Sequence, residues 1–309
     1  MTLTVRDFRP ADAKSVADLR RAGVPHRLST PQGVAWEVST ARAAQRLRLF
    51  VAELDGRIVG SARAALLPGS RVPARAAAAL HVHPGHRGRG AGRALLAAAE
   101  EHLAAAGADR VFVRAVDEPG AHAFARRHGY RHTRTARHLR LDLATAGPPP
   151  LPSALPAGVR LLTGAELEAD PRPLYAANAE AGADEPGEVA GDAMAYEDWL
   201  RHTWDHPHID LDLTSVVTVD GALAAFSLAA TDGLGRYASA MTGTRRAFRG
   251  RGLARLAKAA SLHRARDHGC TEAFTGNDTA NTPMLTLNRR LGYRPFAEEW
   301  RYAREVGRG

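Results

Sequence analysis

The chain carries one series of segments twice at a nearly constant offset, and no other feature restricts its fold as strongly. Arg87-Gly-Arg-Gly-Ala-Gly92 returns 162 positions later as Arg249-Gly-Arg-Gly-Leu-Ala254, and Gly129-Tyr130 returns after 163 positions as Gly292-Tyr293. Self-similarity of this kind marks a repeated structural unit. The segments between these anchors repeat as well. Apolar runs at 49–54 and 57–60 flank Asp55-Gly56, a dipeptide suited to the positive φ angles of a two-residue hairpin; 215–219 and 222–226 flank Asp220-Gly221. Strands at 78–82 and 239–244 run into the two glycine loops. The helical stretches that follow stop at Gly107 and Gly269, as left-handed caps require. A further strand and a short helix then lead into each Gly-Tyr pair. At ~150 residues per domain, 309 residues suffice for two cores. The expected fold is mixed α/β in two tandem copies, residues 1–143 and 159–309. Residues 144–158 join them, and Pro148, Pro149, Pro150, Pro152 and Pro156 make this a semi-rigid extended linker.

Composition removes several classes. Hydrophobic residues at 45% and charged residues at 24% belong to a folded globular chain. No run of ~18 apolar residues occurs, and Arg6 and Asp7 stand where a signal peptide needs an apolar stretch, so a cytoplasmic protein without a membrane partner is expected. The single cysteine, Cys270, permits neither an internal disulfide nor a thiolate zinc cage. The net charge of +9 invites a nucleic-acid reading. Against it, lysine occurs only at Lys14 and Lys258, the arginine accompanies abundant Ala, Gly and Pro, and no helix-turn-helix or RNA-binding signature is present. Nucleic acid is therefore not an expected partner. The charge is divided unevenly: residues 1–145 hold 24 basic and 12 acidic side chains, a balance of +12, and the remainder balances at −3.

Each glycine loop lies between a strand and a helix, so consecutive main-chain N–H groups meet at a helix N-terminus. Such an arrangement attracts a phosphate group. Neither loop is an early Gly-x-Gly-x-x-Gly after a first strand, which disfavours a dinucleotide fold, and neither ends in Gly-Lys-Ser/Thr. His81, His83 and His86 lie near the first loop, but no acid or thiol follows at ligand spacing and no metal is expected.

Val82-x-Pro84-x-x-Arg87 through Gly92, with His128-Gly-Tyr130, resembles the GNAT acetyltransferase superfamily. Thr242-Gly-Thr244 through Ala254, with Asn281-Thr-Pro-Met284, Asn288 and Leu291-Gly-Tyr293, resembles it again. The second half is most similar to the catalytic halves of tandem GNAT proteins of the mycothiol-synthase type. The resemblance implies a sheet whose fourth and fifth strands splay apart, and acetyl-CoA as co-substrate. The pyrophosphate would rest on Arg87, Gly88, Arg89, Gly90, Ala91 and Gly92, and on Arg249, Gly250, Arg251, Gly252, Leu253 and Ala254. The thioester would lie along the strand, with main-chain amides near Val82 and at Thr242, Gly243 and Thr244 facing the acetyl carbonyl, where attack by an amine builds negative charge. Asn281 and Asn288, and less directly Asn277, would meet the CoA arm; Asn281 also suits a helix N-cap ahead of Pro283. Many GNAT enzymes carry a tyrosine acid four residues before the glycine of the Gly-Tyr pair. Ala125 and Asn288 occupy that position here.

The acceptor side separates the halves. Between Glu180 and Asp212 lie Asp184, Glu185, Glu188, Asp192, Glu197, Asp198, Asp205 and Asp210 against one base, Arg201, whereas Arg20, Arg21, Arg27, Arg42, Arg46 and Arg48 face one acid, Glu37. A cationic amine is attracted to the former and repelled by the latter. Catalysis is therefore expected in the second half, with Asp184 and Glu185 as amine-binding or basic groups and the amide of Thr244 at the carbonyl. An alternative is a non-catalytic acyl-CoA-binding sensor or scaffold. The protein is expected to be a monomer or homodimer.

Overall fold

The computed structural model describes residues 2–186 and 194–306. Glu188 and Asp192 lie outside them. In chain order the elements are β1 Leu3–Asp7, α1 Ala13–Gly23, α2 Pro31–Ser39, β2 Arg48–Leu54, β3 Arg57–Leu66, β4 Arg75–Val82, α3 Ala91–Ala105, β5 Arg110–Val116, α4 Pro119–Arg127 and β6 Arg131–Asp142. The second series is β7 Val159–Thr163, α5 Arg172–Ala183, α6 Tyr196–Trp199, β8 Ile209–Val219, β9 Ala222–Thr231, β10 Arg236–Thr244, α7 Leu253–Asp267, β11 Glu272–Asp278, α8 Thr282–Arg290 and β12 Arg294–Glu305.

The hairpin turns form where the sequence places them. Asp55 and Gly56 have φ of 49° and 79°, and Asp220 and Gly221 have 49° and 81°, the paired positive values that fit a two-residue turn to the strand twist.

The described residues fall into two compact units, and their boundary lies at 136–137 within β6 instead of in the Pro-rich segment. The first unit comprises 2–136 and 297–306, the second 137–186 and 194–296. Each half of the chain thus gives its last strand to the other unit. In the first, Glu299–Glu305 of β12 pair antiparallel with β5. Tyr302 and Val306 enter its core beside Leu95, Leu103 and Val111. In the second, Leu139, Leu141 and Leu143 pack with Tyr237, Leu262 and Tyr293.

The first unit's strands run β1, β2, β3, β4, β5, β12, with α3 and α4 over one face and α1 and α2 over the other. The second unit's run β7, β8, β9, β10, β11, β6, with α7 and α8 on one face and α5 and α6 on the other. Parallel pairing is brief in both. β4 meets β5 only through Arg75–Ala78, and β10 meets β11 only through Arg236–Ala238. β10 then continues to Thr244 without that neighbour, which opens the expected splay. No helix among the described residues is long and apolar enough to cross a membrane.

Candidate active site

The Arg249–Ala254 loop turns through Gly250 and Gly252, whose φ values of 78° and 77° favour glycine. A Cβ at either would meet open space within 4 Å. Gly252 is the N-cap of α7 and has no side-chain cap bond, so the first amides of that helix face outward. Beside them lies a cleft of about 720 Å³, bounded by Thr244, Arg249, Gly250, Gly252, Leu253 and Ala254 on one side and by Thr282, Thr286 and Arg290 of α8 on the other. Open amides, a helix N-terminus and two arginines fit the pyrophosphate of CoA.

The acids of this region serve the loop directly. Asp184, at the C-cap of α5, accepts from Arg246 Nη2 at 2.7 Å and Nε at 3.1 Å, and also from Arg249. These guanidiniums, Arg246 first, hold its carboxyl down to about 2. Arg249 Nε donates to the Thr244 carbonyl at 3.2 Å, which ties the loop to the strand end. Glu180 receives the Arg246 amide and, at 3.2 Å, Arg245 Nε; together they hold it below the usual carboxylate range. Glu185 is exposed next to Asp184. Asp210 accepts from the Leu213 amide at 3.0 Å within the strand region.

The β10 strand carries a register shift against β9 between Ser239 and Met241, a bulge that re-aims the main chain ahead of Thr242–Thr244. Thr242 Oγ1 lies 3.1 Å from Ser227 Oγ. Gly243 serves packing, since a Cβ there would come within 2.6 Å of Ala181 Cβ on α5 and 2.8 Å of the Phe226 ring. Arg251 lies 5.9 Å from the Phe248 ring centroid. Asn281 caps α8 by accepting from the Met284 amide at 3.3 Å. Trp199 and Trp204 are buried with Leu174 and Phe226, and Cys270 lies in the opposite core layer.

Asn288 is fully buried and belongs to a polar network that the sequence does not disclose. Its Oδ1 accepts from Lys258 Nζ at 2.6 Å and its Nδ2 donates to Asn277 Oδ1 at 2.8 Å; Lys258 Nζ also reaches Thr275 Oγ1 at 3.1 Å and lies 5.0 Å from the Tyr293 ring centroid. Lys258 has no exposed surface, and burial pulls its ammonium down to about 7. The repeat offsets place Leu96, Val113, Ala115 and Ala125 at the positions of Lys258, Thr275, Asn277 and Asn288. That alignment, with Lys258 the second half's single lysine, is the one signal by which the network was discoverable.

The first loop has the same local form. Gly88 and Gly90 have φ of 78° and 88°, Gly90 caps α3, and Arg87 Nε points to the Val82 carbonyl at 3.5 Å. Here, however, the arginine pairs with Glu118, the N-cap of α4, and so bridges loop to helix where the second unit has its cleft. Ala91 is buried, and a Cβ on Gly92 would lie in ordinary contact with the Phe124 ring. β4 pairs with β3 in unbroken register from Ala76 to Val82. His83 Nδ1 accepts from the Gly85 amide at 3.2 Å.

Comparisons with known proteins agree with this geometry. The Acetyltransferase (GNAT) family profile matches residues 16–130 and again 167–293. A mycothiol acetyltransferase of Clavibacter sepedonicus is 35% identical over 230 residues, 74% of this chain and 72% of its own. One from Clavibacter michiganensis subsp. michiganensis is 34% identical over 259 residues, 83% of this chain and 79% of its own. A tandem GNAT protein from the clavulanic acid biosynthesis pathway shares the fold at a TM-score of 0.74 and 24% identity, over 99% of both chains. With both repeats matched and each carrying the glycine loop at a helix N-terminus, the chain belongs to the GNAT acetyltransferase family as a tandem, two-copy member.

Proposed function

We propose that the second unit is an acetyl-CoA-dependent N-acetyltransferase, moving an acetyl group to the primary amine of a small cationic acceptor by direct attack, and that the first is a structural or acyl-CoA-binding copy. The contrast between β10 and β4 carries this reading. β10 has a bulge and an open cleft at its end, whereas β4 keeps unbroken register and its loop is bridged by Arg87 and Glu118.

Acetyl-CoA supplies an acetyl group already activated as a thioester. The amides of Gly250, Arg251, Gly252, Leu253 and Ala254 receive its pyrophosphate, with Arg251 adding charge. Main-chain N–H groups of the Thr242–Thr244 stretch, on the edge that β11 leaves free, donate toward the acetyl oxygen. Asp184 stays ionised and acts through Arg246 and Arg249, as a positioning residue for the loop. The neighbouring Glu185 takes a proton from the acceptor's ammonium, directly or through water; the free amine then forms the C–N bond as the C–S bond breaks, and the CoA thiolate leaves and takes a proton from water. The relatives' shared name makes the amine that a mycothiol acetyltransferase acylates the first acceptor to assay.

The test is release of the CoA thiol from acetyl-CoA in the presence of that amine, glucosamine or spermidine. Turnover is expected with at least one, and Glu185→Gln should lower kcat by about 10- to 100-fold while acetyl-CoA binding is kept. Acetyl-CoA binding without turnover on any amine would favour the sensor reading, to which Ala125 and Asn288 at the tyrosine positions lend support.

A further inference from the structure

The first unit replaces a patch of apolar core with polar groups. On β3 and β4, Gly60 and Ala62 face α3, since a Cβ on Gly60 would meet Leu95 and Ala62 lies in that core layer. Strand alternation therefore turns Ser61, Arg63 and His81 toward α1 and α2, with Ser61 directly opposite His81. Counted from the Asp-Gly turns and the glycine loops, the second unit has Phe226, Leu228 and Gly243 at these places. Phe226 and Leu228 pack there in an apolar layer against α5, and Gly243 lies against the same helix.

Polar groups inside a domain are costly unless they find partners. Glu37 of α2 accepts from Arg20 Nη1 of α1 at 2.8 Å, and its second oxygen pairs with Arg63. Two guanidiniums on one carboxylate leave one positive charge over. Ser61 has no exposed surface, and among the described residues neither its Oγ nor the buried Arg20 Nε has a hydrogen-bond partner. Burial keeps His81 neutral, pulled down to about 3. These are orphaned donors beside surplus positive charge.

We propose that this face of the first unit binds the carboxylate of a small organic molecule, with Arg20 and Arg63 supplying the charge and the Ser61 hydroxyl and His81 imidazole supplying hydrogen bonds. The single surplus charge suits a monoanion, and Glu37 opposes a dianion such as phosphate. The site lies on the sheet face opposite α3 and does not depend on acetyl-CoA chemistry.

The test follows the His81 ring by nitrogen-15 NMR in histidine-labelled full-length protein, titrated with sodium propionate or sodium phosphate at constant ionic strength. A saturable His81 shift with propionate is expected, weakened about tenfold or more in Arg63→Gln and about threefold or more in Ser61→Ala. Ser61→Ala, which only removes an orphaned hydroxyl, should melt no lower than the wild type without ligand, so its weaker binding reads the site and not the fold. Arg251→Gln should leave the shift unchanged. No saturable shift, equal affinity in wild type and both site variants, loss of the shift in Arg251→Gln, or tighter binding of phosphate than of propionate would each overturn the proposal.

Discussion

Lys258 shows how much one buried residue separates two copies of a fold. A lysine on a helix reads as a solvent-facing side chain, yet this one is held by Thr275 and Asn288 under the Tyr293 ring. Its ammonium titrates near 7 in the folded protein against about 10.5 for a free lysine. Between those values the unfolded chain holds a proton that the native state lacks, so this residue's contribution makes stability rise with pH above about 7; below 7 its burial opposes folding in full. Lys258→Leu with Asn288→Ala copies Leu96 and Ala125 and removes the buried amine together with its main acceptor, at the cost of one hydrogen bond each to Thr275 and Asn277. Urea unfolding of wild type and double variant at pH 6 and pH 9 should show the variant's stability relative to wild type fall by about 2.7 kcal/mol as pH rises. A constant difference would mean that Lys258 stays charged throughout. Asp184 teaches the complementary lesson. The sequence marked it as an amine-binding or basic group on the acceptor side, but its arginine partners lie 62 and 65 positions away, and only the fold brings them together.

At the level of elements, most of the architecture was legible because it rests on local chemistry. The Asp-Gly turns and the Gly107 and Gly269 caps adopt the positive φ that their sequences predict, and Gly88, Gly90, Gly250 and Gly252 of the loops share it. The bulge at Ser239–Met241 was not legible, since no glycine or proline marks it and pairing with β9 alone reveals it. Nor was the destination of β6 and β12. Each strand follows a Gly-Tyr pair, and nothing local tells which sheet it completes. Gly243 belongs to this scale as well, because its missing side chain lets α5 close over β10. Gly243→Ala forces a methyl within 2.6 Å of Ala181, and thermal melting should show a loss of about 1–3 kcal/mol together with weaker acetyl transfer. An unchanged melting temperature would show that α5 yields without cost.

Across the whole chain, duplication has left two units with one plan and opposite polarity. The first unit carries a polar patch within its otherwise apolar α1 and α2 face and is apolar where the Lys258 network would stand; the second is the reverse. The loop arginine pairs with Glu118 at the start of α4 in the first unit and with Asp184 in the second, where the loop borders an open cleft. Division of labour is the simplest consequence, and of the two roles proposed for the first unit the Arg87–Glu118 bridge favours the structural one, with one acetyl-CoA site in each chain. Isothermal titration of acetyl-CoA into the full-length protein tests this most directly. One equivalent should bind, the binding should be lost in Gly252→Val, where a branched side chain is forced to positive φ, and it should survive in Gly90→Val. Two equivalents, or a single site abolished through Gly90 and indifferent to Gly252, would contradict the account.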